Sequence, residues 1–239
     1  MRWPETMTPP KRHVPSGDRS PVTGRRRPTP HPEPPAPSTW VVYLITDRAQ
    51  TNGRPLLDVV DAALQAGIRA VQLRERDLTT RELLRLAEGL RERTRRAGAA
   101  LLINDRVDVA LACDADGVHL PANSFAVADA RALLGARKLI GVSTHAPAEI
   151  VAAARHSADF AVFGPIYDTP SKRGFGTPLG LDGLVEARAA ARLPLFAIGG
   201  IDLEHVAAVR NAGADGIAVI RAVLAAPDPG LAAAALLKR

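Results

Sequence analysis

From residue 41 onward two patterns alternate. Short unbroken runs of β-branched and aliphatic residues are followed by stretches whose apolar positions recur every three or four residues. Residues 41–46 read as a first strand. In 55–66, Leu56, Leu57, Val60, Ala63 and Leu64 fall on one helical face, and Gly67 stands where a helix C-terminus favours a residue without a Cβ. The rhythm repeats. Further strands are predicted over 70–73, 100–103, 117–120, 139–142, 160–163, 195–198 and 216–220. Helices are predicted over 80–97, 106–113, 126–134, 147–156, 181–191, 203–212 and 230–238.

The strands are runs rather than polar/apolar alternations, as expected where both faces of a parallel sheet are buried. Eight strand–helix units in one chain point to an α/β protein built as a single (β/α)8 TIM barrel. A doubly wound sheet is the main rival. It usually carries an early glycine-rich phosphate loop, whereas the first strand here exits through Ile45-Thr46-Asp47-Arg48. The barrel is therefore the expected fold.

Residues 1–37 follow neither pattern. They hold 11 of the 20 prolines, and seven basic against three acidic residues, so +4 of the +6 formal charge lies there and only +2 in 38–239. With almost no aliphatic side chains, this segment cannot bury enough apolar surface to offset chain entropy. A disordered Pro/Arg-rich tail, 1–37, ahead of a barrel over 38–239 is the expected organisation. Arg25-Arg26-Arg27 reads more readily as solvated charge than as a tether to an anionic partner.

This placement of charge changes the picture of partners. A near-neutral barrel with 4% aromatic residues offers no base-stacking surface, so no nucleic-acid partner is expected. No run approaches the ~20 uncharged apolar residues of a membrane span, so none is expected there either. The single cysteine, Cys113, excludes a disulfide framework and a cysteine-rich metal site, and fits a reducing, cytoplasmic location. A homo-oligomer is compatible with the sequence, which does not specify its order.

In a barrel of this kind, catalytic residues gather at the C-terminal strand ends. Those positions hold Thr46 and Asp47, then Gln72, Arg74 and Arg76, then Asn104 and Asp105, and His119 on the fourth strand. The later strands contribute Ser143, Thr144 and His145, Gly164 with Thr169, Ser171, Lys172 and Arg173, Gly199 and Gly200, and Arg221. Arg74, Arg76, Lys172 and Arg173 on one rim suit a small phosphorylated ligand, because guanidinium forks match phosphate oxygens and Lys supplies a point charge. Paired glycines after strand seven let backbone N–H groups approach a phosphate. Competing structural readings stand beside these. Asp47 caps a turn, Asp116 and Asp215 are turn residues entering strands, and His119 is either a site residue or a histidine held inside the barrel.

Several segments in order carry a resemblance. They are Tyr43-Leu44-Ile45-Thr46-Asp47, Gln72-Leu73-Arg74-Glu75-Arg76, Ile103-Asn104-Asp105-Arg106 and Asp116-Gly117-Val118-His119-Leu120. Gly141-Val142-Ser143-Thr144-His145, Phe163-Gly164-Pro165-Ile166-Tyr167-Asp168-Thr169-Pro170-Ser171-Lys172 and Ala197-Ile198-Gly199-Gly200-Ile201 follow. Over 40–237 the chain resembles the thiamine phosphate synthase/TenI family of (β/α)8 barrels. The synthases join a pyrimidine pyrophosphate to a thiazole phosphate with magnesium on the pyrophosphate. TenI-type proteins tautomerise a thiazole carboxylate phosphate without a cofactor. The resemblance implies that Gln72, Arg74, Arg76, Asn104 and Lys172 hold pyrophosphate or its counterpart, and that Asp105 ligates magnesium. It also implies that Ser143 and Thr169 line the pyrimidine side, that Gly199 and Gly200 hold the thiazole phosphate, and that His145 matches the tautomerase acid/base.

Three departures mark this chain. Arg76 stands where synthases usually have Lys, Ser124 stands where they usually have a second magnesium carboxylate, and Arg221 stands where a small serine is usual. Arg-Glu-Arg and Leu-Pro-x-x-Ser-Phe resemble the TenI branch, whereas Asn104-Asp105 resembles the synthase branch. The expectation leans to a TenI-like thiazole tautomerase using His145. The alternatives are the synthase and a non-catalytic regulator that binds thiazole phosphate.

Overall fold

The computed structural model describes residues 33–169 and 177–238. Eight parallel strands close into one barrel in sequence order: β1 (Val42–Ile45), β2 (Ala70–Leu73), β3 (Ala100–Asn104), β4 (Gly117–Leu120), β5 (Leu139–Thr144), β6 (Phe160–Phe163), β7 (Leu195–Ile198) and β8 (Gly216–Val219). Closure is a ladder between the first and last strands, Val42 to Ile217, Tyr43 to Ala218 and Leu44 to Val219. The helices around it are α1 (Leu56–Gln65), α2 (Thr80–Ala97), α3 (Val107–Ala112), α4 (Val127–Leu134), α5 (Pro147–Arg155), α6 (Gly180–Ala190), α7 (Val206–Asn211), α8 (Arg221–Leu224) and α9 (Pro229–Leu237).

The (β/α)8 expectation holds, with local differences. β5 runs two residues further than its apolar pattern, so Ser143 and Thr144 are strand residues. The short α8, absent from the sequence reading, opens at Arg221. Residues 33–37, assigned to the tail by composition, are partly docked: Pro37 is buried, and Trp40 Nε1 donates to the Pro35 carbonyl at 3.0 Å. The remainder of the expected tail, 1–32, lies outside the described residues. Among those described, no helix is long and apolar enough to cross a membrane.

Local chemistry explains the helix ends. Thr79 and Glu82 form a reciprocal capping box at the start of α2, and Gly98, at φ +61°, ends it in the left-handed region. Asp228 accepts from Leu231 N at 2.9 Å to cap α9. The seam is tied outside the sheet as well. Arg54 donates to the carbonyls of Leu224 and Pro227, and Asn52 to that of Ala225.

Each strand sends alternate side chains to two cores. Val42, Leu44, Val71, Leu73, Leu101 and Ile103 are among those that pack outward against the helices. Tyr43, Ile45, Ala70, Leu102, Phe160, Val162, Phe196 and Ala218 fill the barrel, with Trp40 beneath β1. The few aromatics are concentrated here. Trp40, Tyr43, Phe160 and Phe196 meet at centroid distances of 5.2–6.1 Å. Their bulk dictates small neighbours: a Cβ on Gly141 would lie 2.2 Å from the Phe160 ring.

One clamp recurs three times. Asp116, Asp159 and Asp215 immediately precede β4, β6 and β8. Each donates its N–H to a carbonyl of the preceding strand (Leu101, Ile140, Leu195), and its carboxylate accepts the N–H of that same residue at 2.7–2.8 Å. Each carboxylate also pairs with an arginine from the even-numbered helix before it: Arg91 at 2.6 Å, Arg131 at 2.7 Å and Arg188 at 2.6 Å. Asp116 and Asp215 are thus ladder clamps rather than simple turn residues.

The clamps differ in burial, with Arg91 and Asp116 each 9% exposed and Arg188 and Asp215 25% and 41% exposed. Removing one partner of a buried pair leaves an uncompensated charge and an unsatisfied N–H. Asp116→Ala is expected to cost about 3–5 kcal/mol, and Asp215→Ala only about 1–2 kcal/mol. Urea unfolding measures both, and equal losses would contradict the clamp's dependence on burial.

Candidate functional site

Because every strand is parallel and the sheet is closed, the eight C-terminal strand ends share one rim. Where they are described, the residues expected there stand at or just past the strand ends, with Gln72 and His119 lying deeper in the barrel. Lys172, with Ser171 and Arg173, lies outside the described residues.

The rim begins with an anchor that sequence reading missed. Thr46 is fully buried, and its hydroxyl donates to Glu75 Oε1 at 2.8 Å while accepting the N–H of Arg74 at 2.9 Å. Glu75 is buried and also accepts the backbone N–H and guanidinium of Arg48. Arg48 in turn pairs with Asp77. The Arg-Glu-Arg exit from β2 therefore alternates, with Glu75 holding the loop after β1 and fixing the backbone from which Arg74 projects. The signal in sequence was an acid between two arginines at a strand exit. Asp47 caps the turn Arg48–Gln50 through Ala49 N at 3.1 Å.

Arg74 is half-buried and has no carboxylate within ion-pair distance among the described residues. Burial first, and the like charge of Arg76 second, hold its pKa below the ordinary guanidinium value. Arg76 itself is exposed. Asp47 and Glu75 act on it only without ion-pair contact, and a partly desolvated cation so placed is a receptor for an anion. Gln72 sits lower. It is 1% exposed, and its amide donates to Tyr43 Oη inside the barrel at 3.0 Å.

Asn104 ends β3, and Asp105 follows it with φ +65°, a left-handed conformation uncommon outside glycine. Asp105 N donates to the His119 carbonyl at 2.9 Å, which fixes the turn, and its exposed carboxylate accepts the hydroxyl of Ser124 from the loop after β4. Ser124 thus reaches the spot where a second carboxylate would face Asp105. Among the described residues no group of three or more His, Cys, Asp or Glu gathers to hold a metal.

Two histidines stand at different depths. His119 resolves as an interior residue, 2% exposed, with Nε2 3.0 Å from Ser143 Oγ. Burial, then the charge of Arg74, lowers its pKa from 6.5 to about 3. His145 lies past the end of β5 and is exposed. Its Nδ1 contacts the Gly164 carbonyl, and its backbone N–H donates to Glu149 at 2.6 Å. A carbonyl only accepts, so the neutral His145 ring carries its proton on Nδ1 and presents Nε2 outward.

The remaining rim is built from close backbone contact. Ile166 N donates to the Ile198 carbonyl at 2.8 Å and Tyr167 N to the Gly199 carbonyl at 3.0 Å, which extends the β6–β7 pairing beyond both strands. A Cβ on Gly199 would lie 2.6 Å from Pro165 Cβ, and one on Gly200 2.8 Å from the Asp168 carbonyl. Both glycines also have positive φ. They are required by this packing, and among the described residues no backbone acceptor takes their N–H groups. Thr169 is half-buried at the far end of the same loop. Arg221, exposed, begins α8. Two surface depressions, of about 480 and 530 Å³, lie at the opposite end of the barrel among arginines such as Arg91 and Arg93, whose charges are already paired.

Comparison with known proteins follows this geometry. Residues 42–223 match the family described as thiamine monophosphate synthase. The chain is 47% identical to a thiamine-phosphate synthase of Chloroflexus aurantiacus over 81% of this chain and 89% of that one. It is 44% identical to a thiamine-phosphate synthase of Moorella thermoacetica over 81% and 92%. A solved Pyrococcus furiosus structure, a thiamine phosphate pyrophosphorylase, superposes with a TM-score of 0.77 at 35% identity, covering 84% of this chain and 96% of that one.

The depressed pKa of His119 has a consequence for stability. Between pH 6.5 and about 3 the unfolded chain binds a proton at this residue and the folded chain does not. His119 therefore lowers stability as the pH falls through that window, by at most ~1.4 kcal/mol per pH unit. Urea unfolding at about pH 7 and about pH 5 should show a smaller loss for His119→Gln than for the wild-type chain. Identical losses would mean that the imidazole is not held neutral.

Proposed function

Since the chain belongs to the thiamine monophosphate synthase family, we propose that it is a thiamine-phosphate synthase, joining a pyrimidine pyrophosphate to a thiazole phosphate at the C-terminal mouth of the barrel. This replaces the tautomerase as the preferred reading. Arg-Glu-Arg and Ser124 lean toward the TenI branch, but the relatives at 44–47% identity over four-fifths of the chain are named as synthases. The observation that carries the site is Arg74, a half-buried guanidinium without a carboxylate partner among the described residues, on the same rim as Asn104 and Asp105.

In this reading the bond between the pyrimidine methylene carbon and the pyrophosphate oxygen breaks, with the electron pair leaving on oxygen. The thiazole nitrogen then gives its lone pair to the carbon. No redox partner is needed. Arg74, Arg76 and Lys172 stabilise the negative charge that grows on the leaving group. Ser143 and Thr169 line the pyrimidine side, and Gln72 belongs with the pyrophosphate-holding residues, its amide fixed on Tyr43 Oη. The N–H groups of Gly199 and Gly200, which no backbone acceptor among the described residues takes, receive the thiazole phosphate.

Magnesium fits this donor set in one way. Magnesium commonly keeps water and substrate phosphate oxygens and takes only one or two protein carboxylates. Asp105, exposed at the rim, supplies one, and Ser124 and Asn104 supply neutral oxygens nearby. Bound there with pyrophosphate, the ion would neutralise leaving-group charge.

His145 keeps a second reading in view, because its Nδ1–Gly164 contact leaves Nε2 free to move a proton, as a tautomerase requires. Purified protein with both substrates and magnesium is expected to form thiamine phosphate, followed by chromatography. Arg74→Ala should lower kcat/KM by about 100-fold or more. Absence of coupling together with His145-dependent isomerisation of the carboxythiazole phosphate would reverse the assignment. Ser124→Asp is expected to strengthen manganese binding, a magnesium surrogate, about tenfold in the presence of pyrophosphate, read by electron paramagnetic resonance.

A further inference from the structure

We infer that His119 is a positioning residue that sets the hydrogen-bond polarity of Ser143: its Nε2–H donates to Ser143 Oγ, so the serine hydroxyl directs its own hydrogen into the mouth, toward an acceptor atom of the bound substrate. The identity of that substrate rests on the synthase reading. The polarity does not.

The argument begins with a buried orphan. His119 Nε2 lies 3.0 Å from Ser143 Oγ, and Nδ1 is buried with no hydrogen-bond partner among the described residues. The rings of Tyr43 and Phe160, themselves in contact, both pack against it at centroid distances of 5.9 Å. On the adjacent strand, Gly141 is the residue opposite His119 and offers no side chain. Three protonation states are conceivable. The imidazolium would place a full charge in an apolar interior beside Arg74 and leave an N–H unpaired. The Nδ1–H tautomer also strands an N–H donor, because Nδ1 has no partner, and it would make Ser143 the donor to Nε2. The Nε2–H tautomer leaves only a lone pair unsatisfied, and buried orphan donors are the rarer and costlier defect.

Ser143 Oγ then accepts from His119, and a hydroxyl that accepts one bond keeps its hydrogen for another partner. Ser143 is half-buried at the end of β5, at the boundary between interior and mouth. A bound acceptor is therefore met by a pre-oriented O–H rather than a freely rotating one. The two histidines carry opposite tautomers for one reason: each ring nitrogen's proton is decided by what the partner can do. Gly164 O can only accept from His145, whereas Ser143 can do either and yields to the ring.

Nuclear magnetic resonance of the full-length chain with nitrogen-labelled histidine decides the tautomer, with the His119 signal identified by its loss in His119→Gln. The Nε2–H form is expected, and an Nδ1–H or doubly protonated ring overturns the inference. Turnover gives the second readout. His119→Leu should lower kcat about ten- to hundred-fold with a smaller change in KM, and His119→Gln, which keeps an N–H donor, should recover most of it. In a Ser143→Ala background, His119→Leu should add little. Multiplicative losses, or Gln no better than Leu at a matched melting temperature, overturn the positioning role. If the wild-type chain does not couple the two substrates, the synthase reading fails while the tautomer measurement still decides the polarity of Ser143.

Discussion

Every functional feature of this chain depends on the ladder between β1 and β8. Without that closure the eight strand ends would form a row, and Arg74, Asp105, Ser143 and Gly199 would not face one another. With it they form a ring, because all strands are parallel and each ends on the same side. The closure is filled from within by Trp40, Tyr43, Phe160 and Phe196, and the space they need explains Gly141 on a neighbouring strand. At the opposite end the three Asp–Arg clamps satisfy the ladder where strands begin, a stabilising role suited to the face without chemistry.

The mouth departs from the rest of the molecule in its electrostatics. The arginines of the clamps are neutralised by carboxylates at 2.6–2.7 Å, so their charge is internal bookkeeping of the fold. Arg74 is different: it is partly desolvated, its backbone is fixed by the Thr46–Glu75 pair, and its charge has no carboxylate partner among the described residues. Burial, reinforced by its field, keeps His119 neutral below it. A substrate anion would complete this arrangement.

Much of this was legible in the chain. Unbroken apolar runs marked the strands because both faces of each are covered, and the stop of α1 at Gly67 followed from local backbone chemistry. Strand ends could be inspected for cations and carboxylates once the barrel was inferred. The pattern failed where polar residues serve packing. Ser143 and Thr144 continue β5 although neither is apolar, because the ladder to β6 extends over them. Pro35 and Pro37 looked like tail, yet they dock because Trp40 needs an acceptor for its indole N–H.

The order of elements, the parallel barrel, the near-neutral charge of residues 38–239 and the set of residues on the rim were determined by the sequence itself, since periodicity and composition are properties of neighbours along the chain. Partnership was decided by the tertiary structure alone. Asp116 and Arg91 lie on different elements, as do Glu75 and Thr46, Ser124 and Asp105, and His119 and Ser143, and no local pattern records which of them meet. Hydrogen bonds and desolvation act over a few ångströms of space. The protonation of His119, the unpaired charge of Arg74 and the need for glycine at 199 and 200 therefore exist only once the barrel has closed.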